Sequence, residues 1–175
     1  MELQSHTPNL ELLRTGDNQA WTDLYDSLAG DLRAFIFRLG ARDADDVLGE
    51  VMVQLVRDIS KYHGDPQGLR PWTYQIARHR VIDAGRKKSR RPSETALLED
   101  VSEPLSTAAL DPVDFSNLAA AFSQLTTDQR EVLWLRYVAD FSVSETASIT
   151  GKTPEAVTAM SHRALTRLRG LLSSM

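Results

Sequence analysis

Cysteine is absent from the 175 residues, which excludes disulfides and thiolate metal sites and suits a reducing compartment without proving one. Long apolar runs are absent as well, so no segment reads as a bilayer span. Residues Met1 to Leu13 carry Glu2 and Glu11 and lack a basic start followed by an apolar run, so no secretory leader is encoded. The cytoplasm is the expected location, with no direct membrane insertion. His6, His63, His79 and His162 lack the close spacing of a zinc motif, and each reads as a surface or packing residue. No glycine-rich loop joins a strand to a helix, and no Ser or Thr sits in a strand-turn-helix elbow. These absences argue against an enzyme, a cofactor, a metal or a small-molecule substrate.

Charge is present but unevenly placed. Twenty basic residues face 24 acidic ones, a net charge of −4, which taken alone argues weakly against a nucleic-acid partner. The distribution reverses that impression. Residues 1–60 hold five Arg against eleven Asp and Glu, whereas residues 70–91 hold eight Lys and Arg against Asp83 alone, a net +7. Residues 92–116 contain six acids and no cation, and residues 117–175 are nearly balanced. Blocks of alternating sign point to separate partners for separate faces.

The apolar residues recur with helical period. Trp21, Leu24, Leu28, Leu32, Phe35 and Leu39 make one stripe, predicting a helix over Asn18 to Leu39 with an interruption at Gly30. Val47, Val51, Leu55 and Ile59 predict a second over Asp43 to Ile59. His63 to Gly68 is a loop, since two glycines and a proline break both helix and strand. Pro71 opens a third helix running to about Lys88, with Trp72, Ile76, Ala77, Val81 and Ala84 on its apolar face. From Pro92 the chain turns rich in Ser, Thr, Pro and acids, which predicts a flexible linker over 93–116. Beyond it a short helix covers Leu118 to Leu125, and a Thr126/Gln129 capping box opens another over Asp128 to Tyr137. A Ser142/Glu145 capping box starts a two-turn helix ended by Gly151, and Thr153-Pro154 opens the last helix, to about Leu172. The fold class is all-α: two small helical domains, 1–92 and 117–175, joined by the acidic linker. The chain ends three residues after Leu172, which leaves no room for a fused regulatory module.

Three segments carry chemistry. Ser142 to Arg169 has helix-turn-helix grammar: a short helix, the turn Gly151-Lys152-Thr153, and a longer helix carrying Arg163, Arg167 and Arg169. Such a turn lets the start of the second helix enter a major groove while nearby cations hold phosphates. A plain helical hairpin in a bundle is the bland alternative. Thr158, Ala159 and Met160 stand where base-reading side chains belong and offer one hydroxyl and two apolar contacts. The second segment, Arg70 to Arg91, joins cations to Trp72 and Tyr74, a combination that suits melted or single-stranded nucleic acid. Trp72 and Tyr74 individually read more readily as core residues than as stacking platforms, whereas the run Arg86-Lys87-Lys88-Ser89-Arg90-Arg91 is too dense for an indifferent face. In the third, Asp43, Asp46 and Glu50 share one helical face. They suit Mg²⁺, an Arg-rich partner surface, or simply the dipole of a helix start.

These residues resemble the small two-domain bacterial sigma factors of the extracytoplasmic-function type, which direct RNA polymerase to promoters. Asp43 to Val51 looks like the acidic helix that grips the clamp of the polymerase's largest subunit. Arg70 to Asp83 is similar to the segment that reads and melts the downstream −10 element. Leu125 to Tyr137 resembles the opening of the family's second domain, whose helix-turn-helix binds the upstream −35 element. The resemblance implies polymerase contacts for Asp45, Asp46, Glu50 and Gln54, and a base-pocketing loop over Tyr62 to Leu69. It implies −10 contacts for Tyr62, His63, Trp72, Tyr74, Arg78, His79, Arg80, Arg86, Lys87 and Lys88. For the −35 element it implies Lys152, Thr153, Glu155, Thr158, Ala159, His162 and Arg163. His79 stands where the family often has Asn. Thr158 and Met160 stand where it usually has Lys and Arg, and Ser161 where it has an apolar residue. The implied partners are core RNA polymerase, through the clamp and the flap of the second-largest subunit, promoter DNA, and an anti-sigma factor. Two competitors stay open from the residues themselves: a stand-alone helix-turn-helix regulator, and a helical metal-dependent phosphohydrolase built on Asp43, Asp46 and Glu50.

Overall fold

The computed structural model describes residues 7–89 and 112–174, with side chains for 7–85 and 117–174. The chain divides into two compact units, Met1–Arg91 and Pro92–Met175. Among the described residues there is no strand and no helix long and apolar enough to cross a membrane.

The first unit contains α1 (Leu10–Thr15), α2 (Asn18–Arg38), α3 (Ala44–Asp58), a 3₁₀ turn (Ile59–Lys61) and α4 (Leu69–Ser89). Side chains start its helices. Asn9 accepts from the Glu11 and Leu12 amides, Asp17 from Ala20 and Asp43 from Asp46, which satisfies donors that a helix start leaves open. Helices α2, α3 and α4 pack pairwise and bury the stripes read from the sequence, including Leu28, Leu32, Phe35, Val51, Leu55 and Ala77. Burial of several such side chains, each contributing about 1.5–3 kcal/mol, is what holds three otherwise marginal helices together. Helix α1 lays Leu10 and Leu13 onto a cluster of Leu24, Leu28, Ile59 and Leu69 flanked by Trp21, Tyr62 and Trp72.

Two expectations change here. Helix α2 runs unbroken through Gly30, because the residue is exposed and the helix loses nothing but glycine's entropy there. Helix α1 was not foreseen. Six residues give too short a period to read, although Asn9 and Gly16 are ordinary start and stop signals.

The second unit contains α5 (Pro112–Ser123), α6 (Thr127–Leu133), a π turn (Trp134–Val138), α7 (Val143–Thr150) and α8 (Pro154–Ser173). Helix α5 begins within the stretch assigned to the linker, with Pro112 as its first residue; the rest of that stretch, 93–111, lies outside the described residues. Both capping boxes form, Thr126 with Gln129 and Ser142 with Glu145. Ala121, Leu125, Leu133, Ala164 and Leu168 form one core cluster, and Val132, Ala147 and Val157 another. The predicted α-helix over Asp128 to Tyr137 instead widens into the π turn at Trp134, where the Ala139 amide reaches back to the Trp134 carbonyl. The widening buries Trp134 and Leu135 while Tyr137 and Val138 face out. Arg136 donates to the Phe141 carbonyl and closes the loop beneath.

Candidate nucleic-acid interface

The acidic start of α3 is built from helix caps and ion pairs. Asp43 is the N-cap, accepting from the Asp46 amide at 2.9 Å. Asp45 takes the Arg33 guanidinium at 2.8 Å while staying 70% exposed. Among the described residues no three carboxylate or imidazole groups converge on a common point, so Asp43, Asp46 and Glu50 are not arranged as a metal site. Asp46 and Glu50 point outward, and Gln54 is half-buried. Val53 and Val56, 68% and 55% exposed, extend the outward surface of α3. They escaped the sequence reading. The signal was there, since both fall off the buried stripe of Val47, Val51, Leu55 and Ile59 and so are surplus apolar residues on a helix that already has its core face.

Helix α4 divides the −10 candidates sharply. Tyr74 is fully buried, its ring 5.0 Å from Phe35 and covered by the Arg70 guanidinium at 5.5 Å. Burial holds its hydroxyl well above the ordinary tyrosine value. A side chain with no exposed face cannot stack on a base, so the assignment of Tyr74 to DNA contact is corrected: it is a core residue. Trp72 is half-buried, packed on Tyr62 with ring centroids 4.8 Å apart. His79 is exposed and Arg78 half-buried. Arg80 is bonded to α3: its Nε donates to Gln54 Oε1 at 2.8 Å and its Nη1 to Glu50 Oε2 at 3.3 Å. A candidate DNA cation and two candidate polymerase contacts are therefore joined in one cluster. Arg86, Lys87 and Lys88 lie on the helical backbone of the last turns of α4, with side chains outside the described residues.

The loop between the 3₁₀ turn and α4 is folded around Tyr62. The Tyr62 hydroxyl donates to the Asp65 carbonyl at 2.8 Å, Asp65 Oδ1 accepts from the Gly68 amide at 2.7 Å, and Arg14 donates to the Tyr62 carbonyl at 2.7 Å. Partial burial, with Asp65 nearby, pushes the phenol pKa up, so it stays a hydrogen-bond donor at neutral pH. A Cβ at Gly68 would sit 2.5 Å from the phenol oxygen, and one at Gly64 closer still. Both glycines are there to let the backbone close on the ring. Gly64→Ala or Gly68→Ala is expected to expel the ring from the loop and lower the stability of the first unit by about 1–3 kcal/mol. Thermal unfolding measures the loss, and a changed Trp72 emission reports that the stack has opened. His63, beside this loop, is exposed.

In the second unit, Gly151 in the left-handed region (φ 68°) ends α7, and Thr153 caps α8 by accepting from the Ala156 amide. Pro154, Glu155, Thr158, Ala159, His162 and Arg163 share one exposed face of α8. This brings together every −35 candidate on that helix. Thr158 turns its hydroxyl back to the Pro154 carbonyl at 3.0 Å. Met160 does not belong to that face. It packs against the cluster of Val132, Ala147 and Val157, so its place among base-reading positions is corrected, and Ser161 is buried beside it in sequence. Lys152 is also less available than its position in the turn implies, because its side chain is 22% exposed and its ammonium holds Asp128 at 2.8 Å.

Comparison with known proteins places this arrangement. The family profile described as Sigma-70 region 2 matches residues 24–91, and that described as Sigma-70, region 4 matches residues 115–168. Among solved structures, the chain is similar to CnrH, determined in complex with the cytosolic domain of CnrY. The TM-score is 0.65 at 21% identity, covering 94% of this chain and 95% of that one. It is also similar to the sigma factor RpoE of Bartonella quintana, determined with the anti-sigma factor NepR. There the TM-score is 0.63 at 24% identity, over 87% and 98% of the two chains. These likenesses establish the fold. Among curated proteins, CarQ of Myxococcus xanthus, an RNA polymerase sigma factor, is 29% identical over 95% of this chain and 97% of its own. ShbA of Streptomyces griseus, an ECF RNA polymerase sigma factor, is 30% identical over 82% of this chain and 75% of its own. With both sigma-70 regions present in order, one ending in a cationic helix and the other presenting a helix-turn-helix, the chain belongs to the extracytoplasmic-function family of RNA polymerase sigma factors and serves promoter-specific transcription initiation.

Proposed function

We propose that the two units divide the work of promoter recognition. The first, 1–92, docks on the clamp of core RNA polymerase through α3, with Asp45, Asp46, Glu50 and Gln54 as polar contacts and Val53 and Val56 as the apolar ones between them. Its helix α4 tracks the strands of the opening −10 element through Arg78, His79 and the cations from Arg86 onward, while the Tyr62 loop receives an extruded base at a cost of a few kcal/mol of unstacking. The second unit, from α5 onward, reads the −35 element through the exposed face of α8 and meets the flap. With Thr158 and Ala159 supplying methyl groups and Arg163 the cation, readout there is lighter than phosphate anchoring. The acidic stretch 93–111 joins the units in sequence and is drawn to basic surface on the polymerase rather than to DNA.

The protein performs no chemistry of its own; bond formation belongs to the polymerase. It acts in the cytoplasm, where its partners are. An anti-sigma factor is a further partner, a reading supported by the solved complexes of CnrH with CnrY and of RpoE with NepR.

The observation that carries the proposal is the exposed face of α8, where Glu155, Thr158, Ala159, His162 and Arg163 lie together, on the same chain as a +7 segment. Purified protein added to core polymerase and pooled genomic DNA is expected to create discrete transcript 5′ ends that share two upstream motifs. Absence of both binding and new starts would return the stand-alone regulator to first place.

A further inference from the structure

We propose that Arg80 is a coupling residue that makes the DNA face of α4 and the polymerase face of α3 mutually dependent. The inference rests on the reading of α3 as the polymerase face. In this structure Arg80 crosses from α4 to α3 and spends two of its donors on Gln54 and Glu50, at 2.8 and 3.3 Å. The Arg80 side chain stays 36% exposed and that of Glu50 60% exposed, so both are reachable by outside partners. Three of the five guanidinium N–H donors stay available, but each charge already has its counter-charge beside it. A phosphate approaching Arg80 meets the Glu50 carboxylate beside it, which neutralises the cation and repels the anion. A basic partner approaching Glu50 meets Arg80 in the same way.

The free protein therefore holds a closed pair that weakens both surfaces a little. Docking of polymerase cations on Glu50 and Gln54 releases Arg80 toward DNA, and linkage requires that DNA held by Arg80 strengthens polymerase docking by the same factor. An exposed ion pair of this kind is worth at most about 1 kcal/mol, so the coupling amounts to about two- to fivefold in each binding constant. It favours polymerase-bound protein over free protein at promoter DNA.

The test uses the full chain in a cycle of parent, Glu50→Gln with Gln54→Ala, Arg80→Ala, and the triple variant. Binding is measured to core polymerase and, without polymerase, to a fluorescent 20-nucleotide single-stranded DNA of mixed sequence. Arg80→Ala is expected to bind core polymerase about two- to fivefold tighter than the parent. The Glu50/Gln54 change is expected to tighten DNA binding when Arg80 is present and to do so much less when Arg80 is alanine. An equal gain in both backgrounds, or no gain for Arg80→Ala on polymerase, overturns the coupling. Unchanged polymerase affinity in the Glu50/Gln54 variant overturns the α3 reading itself, and the proposal with it. Should Arg80→Ala lower the melting temperature, Arg80→Gln keeps a donor to Gln54 without the charge and must give the same signs.

Discussion

Replacing Tyr74 by alanine is expected to unfold the first unit rather than to silence an intact DNA-binding surface. The ring is fully buried against Phe35, and large-to-small changes of this kind cost about 3–5 kcal/mol, from lost transfer energy plus an unfilled cavity. Domains of this size are stable by roughly 5–15 kcal/mol, so most of the margin disappears. The melting transition of the first unit should fall by more than about 10 °C while that of the second keeps its midpoint. Tyr74→Phe, which fills the same volume, should retain most of the stability. A soluble, fully stable Tyr74→Ala protein that binds polymerase but cannot open promoters would instead restore the residue to the DNA face.

Reversing Arg86, Lys87 and Arg90 to Glu should have the opposite profile: promoter-dependent transcription falls by on the order of a hundredfold, with stability and core-polymerase affinity held near the parent's. A charge-assisted contact to phosphate is worth at least about 1.5 kcal/mol, and three together exceed two orders of magnitude in binding. The salt dependence of DNA binding separates this from a sequence-reading role. Each lost phosphate contact takes about 0.7 to 0.9 off the log–log slope, so the triple variant should be flatter by about two. A full slope with lost transcription would mean that these cations act somewhere other than on phosphates.

The difference between these two variants shows what the sequence could and could not reveal. Periodicity places Tyr74 three and seven residues before Ala77 and Val81, on the buried side of α4, and only the resemblance turned it toward DNA. Helix α4 touches both α2 and α3, and a helix packed against two neighbours buries more than one stripe, so its apolar and polar residues no longer separate cleanly. The same geometry explains Arg80, which a charge count assigns to a partner and the fold assigns to Glu50 and Gln54. Capping signals were legible wherever they recur with spacing three, as at Thr126/Gln129 and Ser142/Glu145, because that chemistry is local. Which residues share the exposed face of α8 was legible almost residue by residue; Met160 was misplaced because a three-residue run on a helix sweeps through about 200° and cannot all face one way. Nothing local announces the π turn at Trp134, which starts within five consecutive buried residues, Glu131 to Leu135.

The loop cored by Tyr62 has a consequence for how temperature acts on promoter opening. Flexible recognition loops lose conformational freedom when they bind, and that loss grows with temperature. Here the phenol, Asp65 and the two close-approaching glycines already fix the chain between Tyr62 and Gly68, so the freedom is surrendered during folding. In the proposed role of the loop, little ordering cost is then left to add to the unstacking of the base. Base capture by a loop prepared in this way should weaken less on warming than capture by a flexible one.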